Sequence, residues 1–197
     1  SKKEKVNFSK VKTFNLDEYC GLASESKNSF HYFMKKNLFN KLNLKEENTN
    51  FPEELSMQNY ESKIKKSGGI DLQVLGIGRN EHIGFNEPGS SFNSATRKIK
   101  LSDTTKEDNS RFFNSLKEVP THAITIGIKT ILNSKKIILL AAGKNKADAV
   151  AKSVLGKPTT KVPASALQNH KDVLFILDKD AASKLKSRTQ PLQSCGV

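Results

Sequence analysis

Tryptophan is absent, and cysteine and methionine occur only twice each in 197 residues. Cys20 and Cys195 lie far apart and make neither a disulfide framework nor a metal-ligand cluster, so the fold must rest on a packed core. Long apolar runs are missing too. The longest, residues 137–142, is strand-sized, well short of the ~20 residues of a membrane helix. The opening Ser1-Lys2-Lys3-Glu4-Lys5 has no apolar stretch behind it and shows no secretory pattern. These absences point to the cytoplasm. Acidic residues are also scarce: 20 Asp+Glu against 33 Lys+Arg give a formal charge of +13. That balance invites a nucleic-acid reading. The basic clusters at 2–5, 63–66 and 184–188, however, come without a ribonucleoprotein motif, zinc-finger spacing or Gly-Arg repeat. A basic field that steers phosphorylated small molecules inward fits better, and neither nucleic acid nor a membrane is expected as a partner.

What is present is an alternation of strand-like and helix-like segments. Residues 11–16, 70–77, 136–142 and 173–177 carry Val, Ile, Leu and Phe in near-continuous blocks, as parallel strands covered on both faces do. Phe30, Phe33, Met34 and Leu38 recur at helical spacing behind a Ser29 cap candidate. Ala123, Ile124, Gly127, Ile128, Ile131 and Leu132 read as a second helix. Ala147, Val150, Ala151, Val154 and Leu155 read as a third, closed by Gly156. The expected architecture is α/β: an open, mostly parallel sheet flanked by helices, Rossmann-like and three-layered. One domain is expected over 1–187, with a frayed tail over 188–197. Folds of this kind normally place a Gly-rich phosphate loop after an early strand. None precedes Val11, so an N-terminally incomplete unit is expected.

The stretch 76–92 holds most of the candidate chemistry. It follows a strand, so Gly76 and Gly78 fall at the sheet's carboxyl edge, where glycine lets a ligand approach the backbone. His82 and Glu87 can form an acid/base pair in which the carboxylate orients the imidazole. On spacing alone, a lone His near a Glu is more often structural. Asp17 ends the first apolar run; on parallel strands it would share the crevice with His82 and could remove a proton next to a carbonyl. A helix cap or turn Asp is the alternative there. His31, His122 and His170 read as structural, His122 as a helix-start residue.

Gly-Ile-Gly-Arg-Asn-Glu-His-Ile-Gly-Phe-Asn-Glu-Pro-Gly-Ser-Ser-Phe (76–92) resembles the signature segment of the glucosamine-6-phosphate deaminases. Thr-Phe-Asn-Leu-Asp-Glu-Tyr (13–19), Asn-Ser-Arg-Phe-Phe (109–113), Gly-Lys-Asn-Lys-Ala (143–147) and Pro-Ala-Ser-Ala-Leu-Gln-Asn-His (163–170) match that family in order, over roughly 11–183. The resemblance implies conversion of glucosamine 6-phosphate and water to fructose 6-phosphate and ammonia, and with it a place among the hydrolases. It implies Asp17 as the base between C2 and C1, His82 as the ring-opening group, Glu87 as its orienting carboxylate, and Asn80 as a residue tuning that relay. Lys146 and Lys106 would face the phosphate, with Gly76 and Gly78 near the substrate. No metal or organic cofactor is implied, and a homo-oligomer fits the family. Glu81 stands where the family usually has Gly, and at φ > 0 it would cost roughly 1–2 kcal/mol and displace His82. Lys106 stands where many members have Arg. The family's N-terminal strand and phosphate loop have no counterpart here. A 6-phosphogluconolactonase-like hydrolase and a non-catalytic sugar-phosphate-binding module are the alternatives.

Overall fold

The computed structural model describes residues 6–185; the tail expected at 188–197 lies outside them. In chain order the elements are β1 (Thr13–Phe14), β2 (Asp17–Tyr19), α1 (Phe30–Asn37), β3 (Thr49–Asn50), α2 (Met57–Lys66), β4 (Leu72–Leu75) and β5 (Arg97–Lys100). There follow α3 (Asp103–Ser110), β6 (His122–Thr125), α4 (Ile128–Leu132), β7 (Lys136–Ala141), α5 (Ala147–Leu155) and β8 (Val173–Leu177). A 3-10 segment, Pro163–Asn169, runs between α5 and β8. The α/β architecture is as expected.

Strands β4, β7 and β8 form a parallel sheet in that order, with Leu75 opposite Leu139 and Leu139 opposite Phe175. A second sheet, β2-β6-β5, is antiparallel and sets Asp17, Thr125 and Arg97 in one row. Strands β1 and β3 pair in parallel. Two apolar clusters result. The larger packs Leu75, Ile137 and Leu139 of the parallel sheet against Tyr60, Ile64, Ile131, Val150 and Leu167 from α2, α4, α5 and the 3-10 segment. The smaller gathers Tyr19, Phe85, Leu101 and Ala123 on the antiparallel sheet, with Tyr19 stacked on Phe30 at 5.1 Å. Ile83 belongs to the first cluster and Phe85 to the second, so the signature segment joins the two.

Three expectations are corrected. The 123–132 pattern is not one helix but β6, a turn at Gly127, and α4. A segment buried all round shows no periodicity that separates strand from helix, and His122 consequently sits in a strand. Gly127 makes the break possible, because a Cβ there would meet the Ser94 carbonyl at 1.9 Å. The 11–16 run is not a strand of the parallel sheet: only Thr13–Phe14 is extended and paired there, and Asp17 opens a strand of the other sheet. Among the described residues, the parallel strands are covered on one face rather than both. Leu72, Val74, Leu140, Leu174 and Ile176, on the opposite face, are each 45–50% exposed. Beside β4 runs a groove of about 860 Å³ between residues 10–17 and 69–74. Thr13 Oγ1 and Gln73 Oε1 are buried in its walls without a partner among the described residues.

Candidate active site

Chain leaving the carboxyl end of β4 turns back on itself over residues 76–87. Gly78 accepts from Glu81 N and donates to His82 O at 2.9 Å, closing a tight loop around the imidazole. Gly78 is required there, because a Cβ would lie 2.3 Å from the His82 ring. Gly76 meets no such constraint, with open space where its Cβ would be.

His82 is largely buried, and burial holds its pKa below the ordinary 6.5 despite the opposing pull of Glu87. Direct spacing pairs it poorly with Glu87, since Nδ1 is 4.0 Å from Oε2. Asn80 fills the gap. Its Nδ2 donates to Glu87 Oε2 at 2.7 Å, and its Oδ1 stands 2.6 Å from His82 Nδ1. A carboxylate only accepts, so the Asn80 amide must present its N–H to Glu87 and its oxygen to the imidazole. His82 Nδ1 therefore carries the proton, leaving Nε2 as a free acceptor. Glu87 is fixed in turn by Ser102 Oγ at 3.1 Å and by the Thr105 hydroxyl. Ser102 is also the N-cap of α3, so one cap residue serves helix and relay together.

Asp17 comes from the other sheet. Burial, with the Glu18 charge added, pushes its pKa up to about 7. It lies against the same loop: a Cβ on Gly84 would sit 3.0 Å from Thr125 Oγ1 and 3.5 Å from Asp17 Oδ2. Glu18 points elsewhere, accepting from the N–H groups of Phe30 and His31 and anchoring the start of α1.

Lys146, at the carboxyl side of β7, donates to the Ile77 carbonyl at 2.8 Å, and burial lowers its pKa. Arg79 and Arg111 add cationic charge beside it, while Arg79 Nε donates to Asp108 Oδ2 at 3.1 Å. The structure thus gathers Asn80, His82, Glu87 and Lys146, with Asp17 of β2 packed against the same loop. Lys106 is paired with Asp103 one turn away on α3 at 2.5 Å. Glu81 does adopt φ = 65°, but the His82 ring keeps its Asn80 partner.

Sequence reasoning missed the supports. Asn86, fully buried, donates to the carbonyls of Ile83 and Ile126 and accepts from Arg97 Nη1 at 2.9 Å. Thr125 Oγ1 accepts from Phe85 N. The Ser102 cap was the one legible signal, a Ser-Asp pair at the head of a polar helix. Among the described residues, no three His, Cys, Asp or Glu side chains are grouped to hold a metal ion, and no helix is long and apolar enough to cross a membrane.

The model of the family described as glucosamine-6-phosphate isomerases/6-phosphogluconolactonase matches residues 1–176. The chain belongs to this family. It is 58% identical over 191 residues to a glucosamine-6-phosphate deaminase of Clostridium botulinum (strain Langeland), covering 94% of this chain and 78% of that protein. A solved structure of a monomeric glucosamine-6-phosphate deaminase superposes with a TM-score of 0.88 at 44% identity, over 90% of this chain and 76% of that one. The 6-phosphogluconolactonase from Trypanosoma cruzi superposes at 0.72 with 22% identity, over 90% and 73%, a likeness of fold alone. These relatives overturn the hydrolase classification: the similar proteins are deaminases of an isomerase family, and the lactone hydrolases are the distant ones.

Proposed function

We propose that this chain converts glucosamine 6-phosphate and water to fructose 6-phosphate and ammonia. The observation that carries the reading is the meeting of two titrating groups at one loop: a carboxyl from β2, ionising near 7, packed against Gly84, and the loop's own imidazole, whose pKa burial lowers. Proton transfer is most effective from groups whose pKa lies near the working pH. His82, protonated on Nδ1 through Asn80, takes the anomeric hydroxyl proton on Nε2 and returns it to the ring oxygen, opening the pyranose. Asp17 then carries a proton between C2 and C1 of the open chain. Water adds at C2 as ammonia leaves. Glu87 and Asn80 orient His82, and Gly78 leaves room for its ring.

Lys146 and Lys106 supply charge for the phosphate, and Gly76 lets the sugar approach the backbone, the corresponding space at Gly78 being filled by the His82 ring. The steps move only protons, water and ammonia, so the reading calls for no metal or organic cofactor. A phosphorylated sugar as substrate makes the cytoplasm its compartment, with neither nucleic acid nor a membrane as partner. The homo-oligomer that fits the family is not required, because every residue given a role comes from one chain.

Ammonia release from glucosamine 6-phosphate by the purified chain, run beside Asp17→Asn, tests the reading. The expected result is release in the parent and a loss of roughly 10²–10⁴-fold in the variant. Equal rates in both would remove Asp17 from the chemistry. Sugar-phosphate binding without any release would favour the binding module.

A further inference from the structure

Glu81 is the one non-glycine residue with positive φ among the described residues. Side chains rarely adopt that conformation, and a residue held there is fixed by its surroundings. The surroundings of Glu81 are specific. Its side chain is 8% exposed, and Oε1 accepts from Lys152 Nζ at 2.8 Å. Its carbonyl accepts from Ala164 N at 3.0 Å, and its own N–H donates to the Gly78 carbonyl at 3.1 Å. A neighbour of the relay is thus tied at once to α5, to the 3-10 segment and to the loop itself.

Lys152 does not act alone. Lys146, immediately before α5, donates to the Ile77 carbonyl on the same loop. Two lysines on one helical unit therefore hold residues 77 and 81, and the segment between them carries Asn80, with His82 next in the chain. We infer that Glu81 and Lys152 form a positioning pair that fixes the His82 imidazole against Asn80 by clamping its loop to α5. The inference rests on the reading of His82 as the ring-opening group. Its physical content, that the clamp sets the environment of the ring, is measurable without turnover.

The pair acts through geometry rather than through its own field. The charged groups bearing on His82 are Glu87 from its own loop, Lys146 ahead of α5 and Asp108 from α3; Glu81 is not among them. Loosening the loop admits water to a ring whose titration burial now depresses.

The test is an NMR titration of the imidazole nitrogens of His82 in the parent chain and in Lys152→Met, Lys152→Arg and Glu81→Gln, with ammonia release measured in parallel. In Lys152→Met, the His82 midpoint is expected to rise toward 6.5 and the preference for a proton on Nδ1 to weaken. Turnover should fall about tenfold with KM little changed, and Lys152→Arg should restore all three. Should Lys152→Met fail to fold, Glu81→Gln, which keeps the shape and removes the charge, is expected to move the midpoint the same way. A lower melting temperature with an unmoved midpoint and tautomer overturns the inference and leaves a purely structural ion pair. Absence of ammonia from the parent chain counts against the deaminase reading alone, since the titration still decides the clamp.

Discussion

Asp17 holds its proton up to about pH 7 in the folded chain, against an ordinary value of 3.8. Between those values the folded state binds a proton that the unfolded state has released. Stability from this group therefore falls as pH rises from about 4 to 7, and the deficit is complete above that. Asp17→Asn should remove the deficit: equal stability at pH 3.5, and a gain of about 1 kcal/mol or more at pH 8, read by denaturant unfolding at both. The same substitution is the one that should abolish ammonia release, so stability and activity move in opposite directions at a single side chain. The acid limb of the parent's pH–rate profile should have its midpoint near 7 for the same reason. Gly78 gives a second case. Gly78→Ala puts a methyl group 2.3 Å from the His82 ring, and displacement of the imidazole should cost roughly 10²-fold in kcat. Unchanged turnover in that variant would show that the ring has another place to go.

The helices divide by how locally they are specified. α1 is capped by Ser29, whose hydroxyl accepts from Tyr32 N at 3.0 Å, and α5 carries a buried face of Ala147, Ala149 and Val150; both were legible because cap and stripe lie within the element. Ser29→Ala should cost about 1 kcal/mol, visible as a lower denaturation midpoint with unchanged slope. β5 reads Arg-Lys-Ile-Lys, and β2 begins at an acidic pair. Both take their identity from β6, to which they pair, and nothing in the local sequence announces that partner. The candidate site shows the same division. His82, Glu87 and Asp17 were legible from residue type and motif. That Asn80 bridges the first two follows from a loop closed by Gly78 and from the hydroxyls of Ser102 and Thr105, which belong to a helix begun fifteen residues beyond Glu87. Asp17 reaches the site through an antiparallel pairing rather than as the end of a parallel strand.

Across the whole molecule, apolar surface is unevenly covered. Among the described residues, Leu72, Val74, Leu140, Leu174 and Ile176 form an exposed apolar face on the parallel sheet, the kind of surface that takes up an apolar dye. The chain is expected to enhance the fluorescence of such a dye while natively folded, and Leu174→Lys with Ile176→Lys should reduce the enhancement without lowering the melting temperature. A signal that persists in the double variant would locate the dye elsewhere. The site, by contrast, lies where the two sheets meet. Ile83 is sunk in one core, Phe85 in the other, and Gly84 between them faces Thr125 and Asp17. The imidazole is carried by the parallel sheet and the carboxyl by the antiparallel one, so their separation is a dimension of the packing between layers. The molecule behaves as a caliper: a methylene added or lost where the cores adjoin opens or closes its jaws, and the reaction registers the change before the fold does.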